Sequence, residues 1–187
     1  MAPKTNKKTS KFPLMKNSIL ILVLSLSFTV NVKSQDLELL DNDNGFLGIK
    51  FCQDIDSVRR LITPVAISGD ENEKSELYRV IKKQYYAFGT AQFKLFTINF
   101  FNNKIDNMYI DVNFENADIL LKELQSVYGP GTKSNSKNEV YFWHGKKVTM
   151  QYIHAGGGAS LSIMSNIMRR EKEIWKQKKM EKSFDNY

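Results

Sequence analysis

In residues 92–114, QFKLFTINFFNNKIDNMYIDVNF, apolar side chains recur at every second position in two runs. That period is the mark of half-buried strands, and the two Asn residues between the runs supply a turn. In the second run Met108, Ile110, Val112 and Phe114 point one way, and Asn107, Tyr109, Asp111 and Asn113 the other. In the first run Phe96, Ile98 and Phe100 share a face. Both apolar sets must face one core, which sets Ile98 near Met108 and Phe96 near Ile110. A strict two-residue Asn102-Asn103 turn would pair Ile98 with Asn107 and flip one strand over. The pattern therefore predicts a three-residue connection, Asn102 to Lys104, or a bulge; Asn tolerates the left-handed backbone such a loop needs. The opposite face of the first run carries Leu95 and Phe101, with Phe93 just before it. A second layer over part of that face is the expectation, an exposed binding patch the alternative.

After the hairpin, Ala117, Leu120, Leu121, Leu124, Val127 and Tyr128 form a stripe at helical spacing. Asn116 is the expected N-cap, and Gly129-Pro130 the stop. Leu120, Leu121 and Leu124 should anchor this helix in the core, at roughly 1.5–3 kcal/mol for each buried Leu. A second hairpin follows, with Gly145-Lys146 as a two-residue turn, pairing Trp143 with Val148 and Tyr141 with Met150. Gly156-Gly157-Gly158 then leads to a last strand, 159–165, in which Leu161 and Ile163 alternate with Ser160 and Ser162.

Upstream, residues 35–44 are polar and acidic and read as a flexible lead-in. Residues 46–51 read as one short strand. Asp54 or Asp56 should cap a short helix with Ile55, Val58, Leu61 and Ile62 on one face, ended by Pro64. Residues 68–74 are a charged loop. Residues 77–83 fit either a helix or a strand, and together with Tyr85 to Phe88 two strands are favoured. Residues 169–182 hold seven basic and three acidic side chains. Only Ile167, Ile174 and Trp175 give them an apolar stripe, so a solvated terminal helix lightly docked on the body is expected. Membrane contact by this helix is the minor alternative, because Glu171, Glu173 and Glu181 dilute the basic charge.

Residues 1–34 stand apart. Lys4, Lys7, Lys8, Lys11 and Lys16 precede the apolar run 19–30, followed by Val32-Lys33-Ser34. This is the pattern of a secretory signal peptide, with cleavage expected between Ser34 and Gln35 and a periplasmic or extracellular destination. The run is shorter than the ~20 residues that span a bilayer. Met15-Lys16-Asn17 could equally open a compact signal of the same kind. The segment also explains the charge. The whole chain is +7, but residues 1–34 hold six of the 27 basic residues and no acid, leaving 21 basic against 20 acidic. The high isoelectric point is thus no argument for nucleic acid, and none is expected as a partner. The lone Cys52 cannot form an internal disulfide and reads as a small buried residue.

Gly48-Ile49-Lys50-Phe51, then Ile55, Val58 and Leu61, then Phe101-Asn102-Asn103-Lys104, form a strand, short helix and Asn-turn series. Leu124, Tyr128-Gly129-Pro130 and residues 141–147 read as a looser repeat of helix followed by hairpin. Over about residues 45–165 the chain resembles the β-lactamase-inhibitor-like folds, which include the small outer-membrane assembly lipoproteins. That resemblance implies a binding module on an antiparallel sheet with helices on one face. It transfers no functional residue: the chain has Leu61-Ile62-Thr63-Pro64 where Leu-Gly-X-Pro often closes the first helix, and no cysteine at the cleavage point.

Chemistry is sparsely signalled. His144 and His154, ten residues apart across a hairpin, match no zinc motif. There is no Gly-X-Ser-X-Gly elbow, and glycines 156–158 lack the Lys-Ser/Thr of a phosphate loop. No catalytic set, metal site or cofactor is indicated. Tyr109, with Asp111 and Asn107 on the same outward face, is the candidate contact surface. The expected architecture is α+β: an antiparallel sheet of hairpins, helices on one face and a charged C-terminal helix, with residues 45–165 as a single domain. The expected role is a non-enzymatic exported binding domain for a protein or envelope component. The alternative is a small exported hydrolase whose site assembles only in the fold.

Overall fold

The computed structural model describes residues 35–65, 75–134 and 138–184. The expected signal peptide with its cleavage point and the charged loop at 68–74 lie outside them. In chain order the elements are α1 (Leu37–Asp43), β1 (Gly45–Phe46), β2 (Ile49–Lys50), α2 (Ile55–Val58), β3 (Ile62–Pro64) and β4 (Ser75–Val80). Then come β5 (Ala87–Phe88), β6 (Ala91–Gln92), β7 (Leu95–Phe101), β8 (Lys104–Asn113) and α3 (Phe114–Tyr128). The chain continues through β9 (Thr132–Lys133), β10 (Glu139–His144), β11 (Val148–Ala155), β12 (Gly158–Ser165) and α4 (Asn166–Phe184).

Among the described residues the main sheet is antiparallel and eight-stranded, in the order β3-β4-β7-β8-β12-β11-β10-β9. The protein is therefore α+β, as its patterning implies. Each half of the sheet is a four-stranded meander. The two halves meet at their last strands, β8 and β12, so that Ile110 pairs with Leu161 and Met108 with Ile163. Helix α3 links the halves and lies on the inner face against β8, β12 and β6, with Leu120, Leu124 and Ala117 wholly buried in the same core as Ile98, Met108, Ile110, Leu161 and Ile163.

The central hairpin pairs Phe96 with Ile110 and Ile98 with Met108. It reconciles turn and pattern through the bulge rather than the three-residue loop. Asn102 and Asn103 are both left-handed (φ 52° and 62°) and close a two-residue turn on the pair Phe101–Lys104. The register then shifts between Phe100–Ile105 and Asn99–Asn107. Asp106 is the extra residue, and it restores every later side chain to its proper face.

The second hairpin differs from the expected register by two residues. Trp143 pairs with Met150 and Tyr141 with Tyr152, around a Lys146-Lys147 turn closed by Gly145 N donating to Val148 O at 2.9 Å. A slip of two leaves the facing unchanged, so the same side chains remain inside. The cause comes from far along the chain. The Asp41 carboxylate accepts from the backbone amides of Lys146 (2.7 Å), Lys147 (2.7 Å) and Val148 (3.2 Å). Gly145 is required beside it, because a Cβ there would overlap Asp41 Oδ1.

Asp41 sits on α1, and α1 corrects the expectation of a flexible lead-in at 35–44. Asp36 caps the helix by accepting from Leu39 N (2.9 Å), and Leu40 is fully buried in the core. One deep apolar anchor and two acceptors order a segment whose composition is polar. Residues 46–51 likewise are not one strand but the tight hairpin β1–β2, turning at Leu47-Gly48 with positive φ at both. Helix α2 continues as a 3₁₀ turn over Arg59–Leu61, and Ile62 leaves it to start β3. Of the two strands favoured at 77–88, β4 is one. Lys83–Tyr85 is instead a 3₁₀ turn before the two-residue β5. Helix α3 starts a turn earlier than expected. Asn113 is its cap, accepting from Asn116 N (3.2 Å), while Asn116 accepts from Gln92 N (2.8 Å) and ties the helix to β6.

Burial alone would raise the Asp41 carboxyl. The amides of Lys147, Lys146 and Val148 outweigh it and hold the group below the ordinary carboxylate value of 3.8. A carboxyl depressed in the folded state contributes stability that is present above its unfolded pKa and lost as pH falls through the folded one. Asp41→Ala should cost about 1–3 kcal/mol at neutral pH, since three amides lose one acceptor. In urea unfolding, the gap from wild type should narrow as pH is taken below 3.8. A gap that does not change with pH would show that the ionised carboxylate is not what holds the turn.

Candidate functional site

Alternation along β8 sends Asn107, Tyr109, Asp111 and Asn113 to the outer sheet face, opposite the core residues Met108, Ile110 and Val112. Their neighbours on that face come from the flanking strands. Tyr109 lies between Thr97 and Ser162, and Asp111 between Leu95 and Ser160.

Helix α4 covers one end of this face. Its docking residues are Met168, Lys172 and Trp175, at i, i+4 and i+7. Ile167 and Ile174, expected in the stripe, are exposed instead. Ser165 starts the helix by accepting from Met168 N (3.2 Å), and Asn166 fixes its direction. Asn166 accepts from Thr149 Oγ1 (3.0 Å) and donates to Gly145 O (3.0 Å). The Trp175 ring meets Phe101 edge-on at 5.8 Å, and the Lys172 ammonium lies over the same ring at 5.7 Å. Phe101 is therefore covered by a second layer, as expected for part of that face. Lys172 Nζ also donates to Ser75 Oγ (3.0 Å) and stands 4.0 Å from Asp106 Oδ2, the carboxylate of the bulge.

The end left open holds a hollow of about 330 Å³, with Lys94, Tyr109, Asp111, Ile153, Gly157 and Ser160 among its lining residues. Tyr109 is 38% exposed. Burial raises its phenol first. The nearby Asp111 adds to that rise, and Ser160 opposes it. Of the three expected contact residues, Tyr109 and Asp111 line the hollow. Asn107 stands outside it, accepting from Ser162 Oγ (3.3 Å) on the side toward α4. Lys94 and Ser160 carried no signal that tied them to Tyr109. The Ser160/Ser162 alternation was legible, but nothing local says that β12 pairs with β8.

The two histidines sit at opposite ends of the β10–β11 hairpin, His144 paired with Thr149 and His154 with Glu139. His144 stacks on Phe142 at 5.2 Å. His154 Nδ1 is 3.7 Å from Asp118 Oδ1 and 3.6 Å from Glu139 Oε2, beyond good hydrogen-bond length. Among the described residues, no three His, Cys, Asp or Glu side chains are grouped to hold a metal ion. Cys52 is half-buried at the left-handed φ of 63°, with Sγ 3.9 Å from Ser165 Oγ. Comparison with family models, with curated proteins and with solved structures finds no match.

Burial raises the Asp106 carboxyl and Lys172 opposes the rise. A carboxyl raised in the folded state costs stability once pH exceeds its unfolded value, and protonation removes that cost. Lys172→Met should therefore destabilise by about 1–3 kcal/mol at neutral pH, leaving the carboxylate without its cation. The deficit should shrink as pH approaches 3.8. Urea unfolding at several pH values measures it, and a constant deficit would mean that Lys172 acts only by packing.

Proposed function

We propose that this chain is an exported, non-enzymatic binding domain that takes a protein or envelope component on its outer sheet face. The observation that carries the reading is Tyr109. It is a partly exposed aromatic side chain that lines a hollow on the part of the sheet that α4 leaves bare. Rigid, amphipathic aromatics contribute contact area at low entropic cost and are enriched among the residues that dominate binding energy. The rest of the face mixes the polar Thr97, Ser160 and Ser162 with the apolar Leu95 and Ile153. Export rests on the pattern of residues 1–34, a basic start, an apolar run and a short-side-chain exit. The resemblance to β-lactamase-inhibitor-like folds points to the same class of role, binding on an antiparallel sheet.

The test is a cross-linked pull-down of tagged residues 35–187 from the native cell envelope, run beside Tyr109→Ala and an exposed control on α3, Ile119→Ala. A partner retained by wild type and control but reduced roughly tenfold or more by Tyr109→Ala is the expected result. A partner retained equally by all three would place the contact elsewhere, and no reproducible partner would count against a binding role.

A further inference from the structure

The hollow has a chemistry more specific than a general contact surface. Its charged lining residues are one lysine, Lys94, and one aspartate, Asp111, so it offers no net charge for an ionic ligand. Asp111, Ser160 and the Tyr109 hydroxyl give hydrogen-bond donors and acceptors side by side, and Ile153 gives an apolar wall. The partly exposed Tyr109 ring adds an aromatic surface to the lining. At about 330 Å³ the hollow is at the small end of ligand pockets, which run about 300–1,000 Å³, and has room for one or two six-membered rings.

The glycine loop adds an independent observation. Gly158 is demanded by the fold, because a Cβ there would overlap Val112 O and its φ is +152°. Gly156 and Gly157 are not. A Cβ at either meets nothing within 4 Å, and neither has the left-handed φ that excludes side chains. Gly156 and Gly157 form the two-residue turn between β11 and β12, and Gly157 leaves bare backbone at the rim of the hollow. The open space beside it leaves room for a ligand to approach that backbone closely.

We infer that the hollow around Tyr109 binds a neutral, polyhydroxylated unit, a sugar residue of an oligosaccharide. Its apolar ring face lies on Tyr109, and its hydroxyls meet Asp111, Ser160 and the Gly157 backbone. A sugar ring matches each feature: it is uncharged, it carries adjacent donors and acceptors, and one of its faces presents C–H groups to an aromatic ring. The inference rests on the proposed binding role of this face and names its ligand class.

The experiment uses the full chain labelled with ¹⁵N and titrated to millimolar concentration with neutral oligomers of glucose, galactose, mannose and N-acetylglucosamine. Sulfated and uronic-acid oligomers are the charged comparison. Amide shifts confined to Tyr109, Asp111, Gly157, Gly158 and Ser160 with at least one neutral oligomer are expected. Affinity should fall roughly tenfold or more in Tyr109→Ala. Gly157→Leu should fold normally, since its Cβ meets open space, and should also lose the sugar by filling the rim. No shift at these amides with any neutral oligomer would overturn the inference, as would tighter binding of the charged oligomers or full binding by Gly157→Leu. A protein partner that is sensitive to Tyr109→Ala, with no sugar bound, would sink the sugar and leave the binding face standing. Failure of both experiments would remove both.

Discussion

Two four-stranded meanders share a single seam, the antiparallel pairing of β8 with β12 from Gly158–Asn113 to Met164–Asn107. Among the described residues nothing else in the sheet joins the halves, and α3 is the covalent link between them. The seam sets which side chains face the helix and which face outward across both halves at once. On its inner side Met108, Ile110, Leu161 and Ile163 are wholly buried, each contributing on the order of 1.5–3 kcal/mol. On its outer side the same register brings Tyr109 beside Ser162 and Asp111 beside Ser160. Core and candidate site are thus the two faces of one hydrogen-bonded ladder, and a slip of one residue would destroy both.

Facing along β8 depends in turn on Asp106. Without the extra residue, a two-residue Asn turn would set the two strands of the central hairpin on opposite faces. The bulge puts a carboxylate on the outer side, where burial makes it costly unless paired. Lys172 of α4 meets that need while its stem crosses Phe101, and Trp175 closes over the same ring. The outer face is consequently divided. The bulged end is covered by α4, and the end beyond Tyr109, with its hollow, is open. A solution to a turn problem thus decides where α4 docks and which part of the sheet remains available to a partner.

Period and turn chemistry in the sequence were enough for the central hairpin as far as Val112, for Leu120 and Leu124 of the α3 stripe, for the facing of the second hairpin and for the outward position of Tyr109. These are local signals, in which side chains two or four residues apart must agree. Phe114, expected inward, instead starts α3 and is 66% exposed, Leu121 is only half-buried, and Val127 is exposed. What escaped was set by distant contacts. Asp41 reaches the turn after Gly145 from more than a hundred residues away and moves the register by two. Leu40 makes a helix of an acidic stretch by finding a place in the core. Met168 and Lys172 dock α4 together with the expected Trp175, while the expected Ile167 and Ile174 are exposed. Of the candidate site, Tyr109 and Asp111 were legible because alternation alone faces them outward. Lys94, Ser160 and the bare Gly157 were not, because their convergence is a property of the seam.

Native-state hydrogen exchange tests the seam most directly. If β8 and β12 lock the two meanders into one cooperative unit, the amides of Met108, Ile110, Leu161 and Ile163 will exchange only by global unfolding. They will do so at one common free energy, while the short edges β3 and β9 open locally. If β8 exchanges at one free energy and β12 at another, the halves unfold separately. The seam would then not be the interaction on which this structure depends.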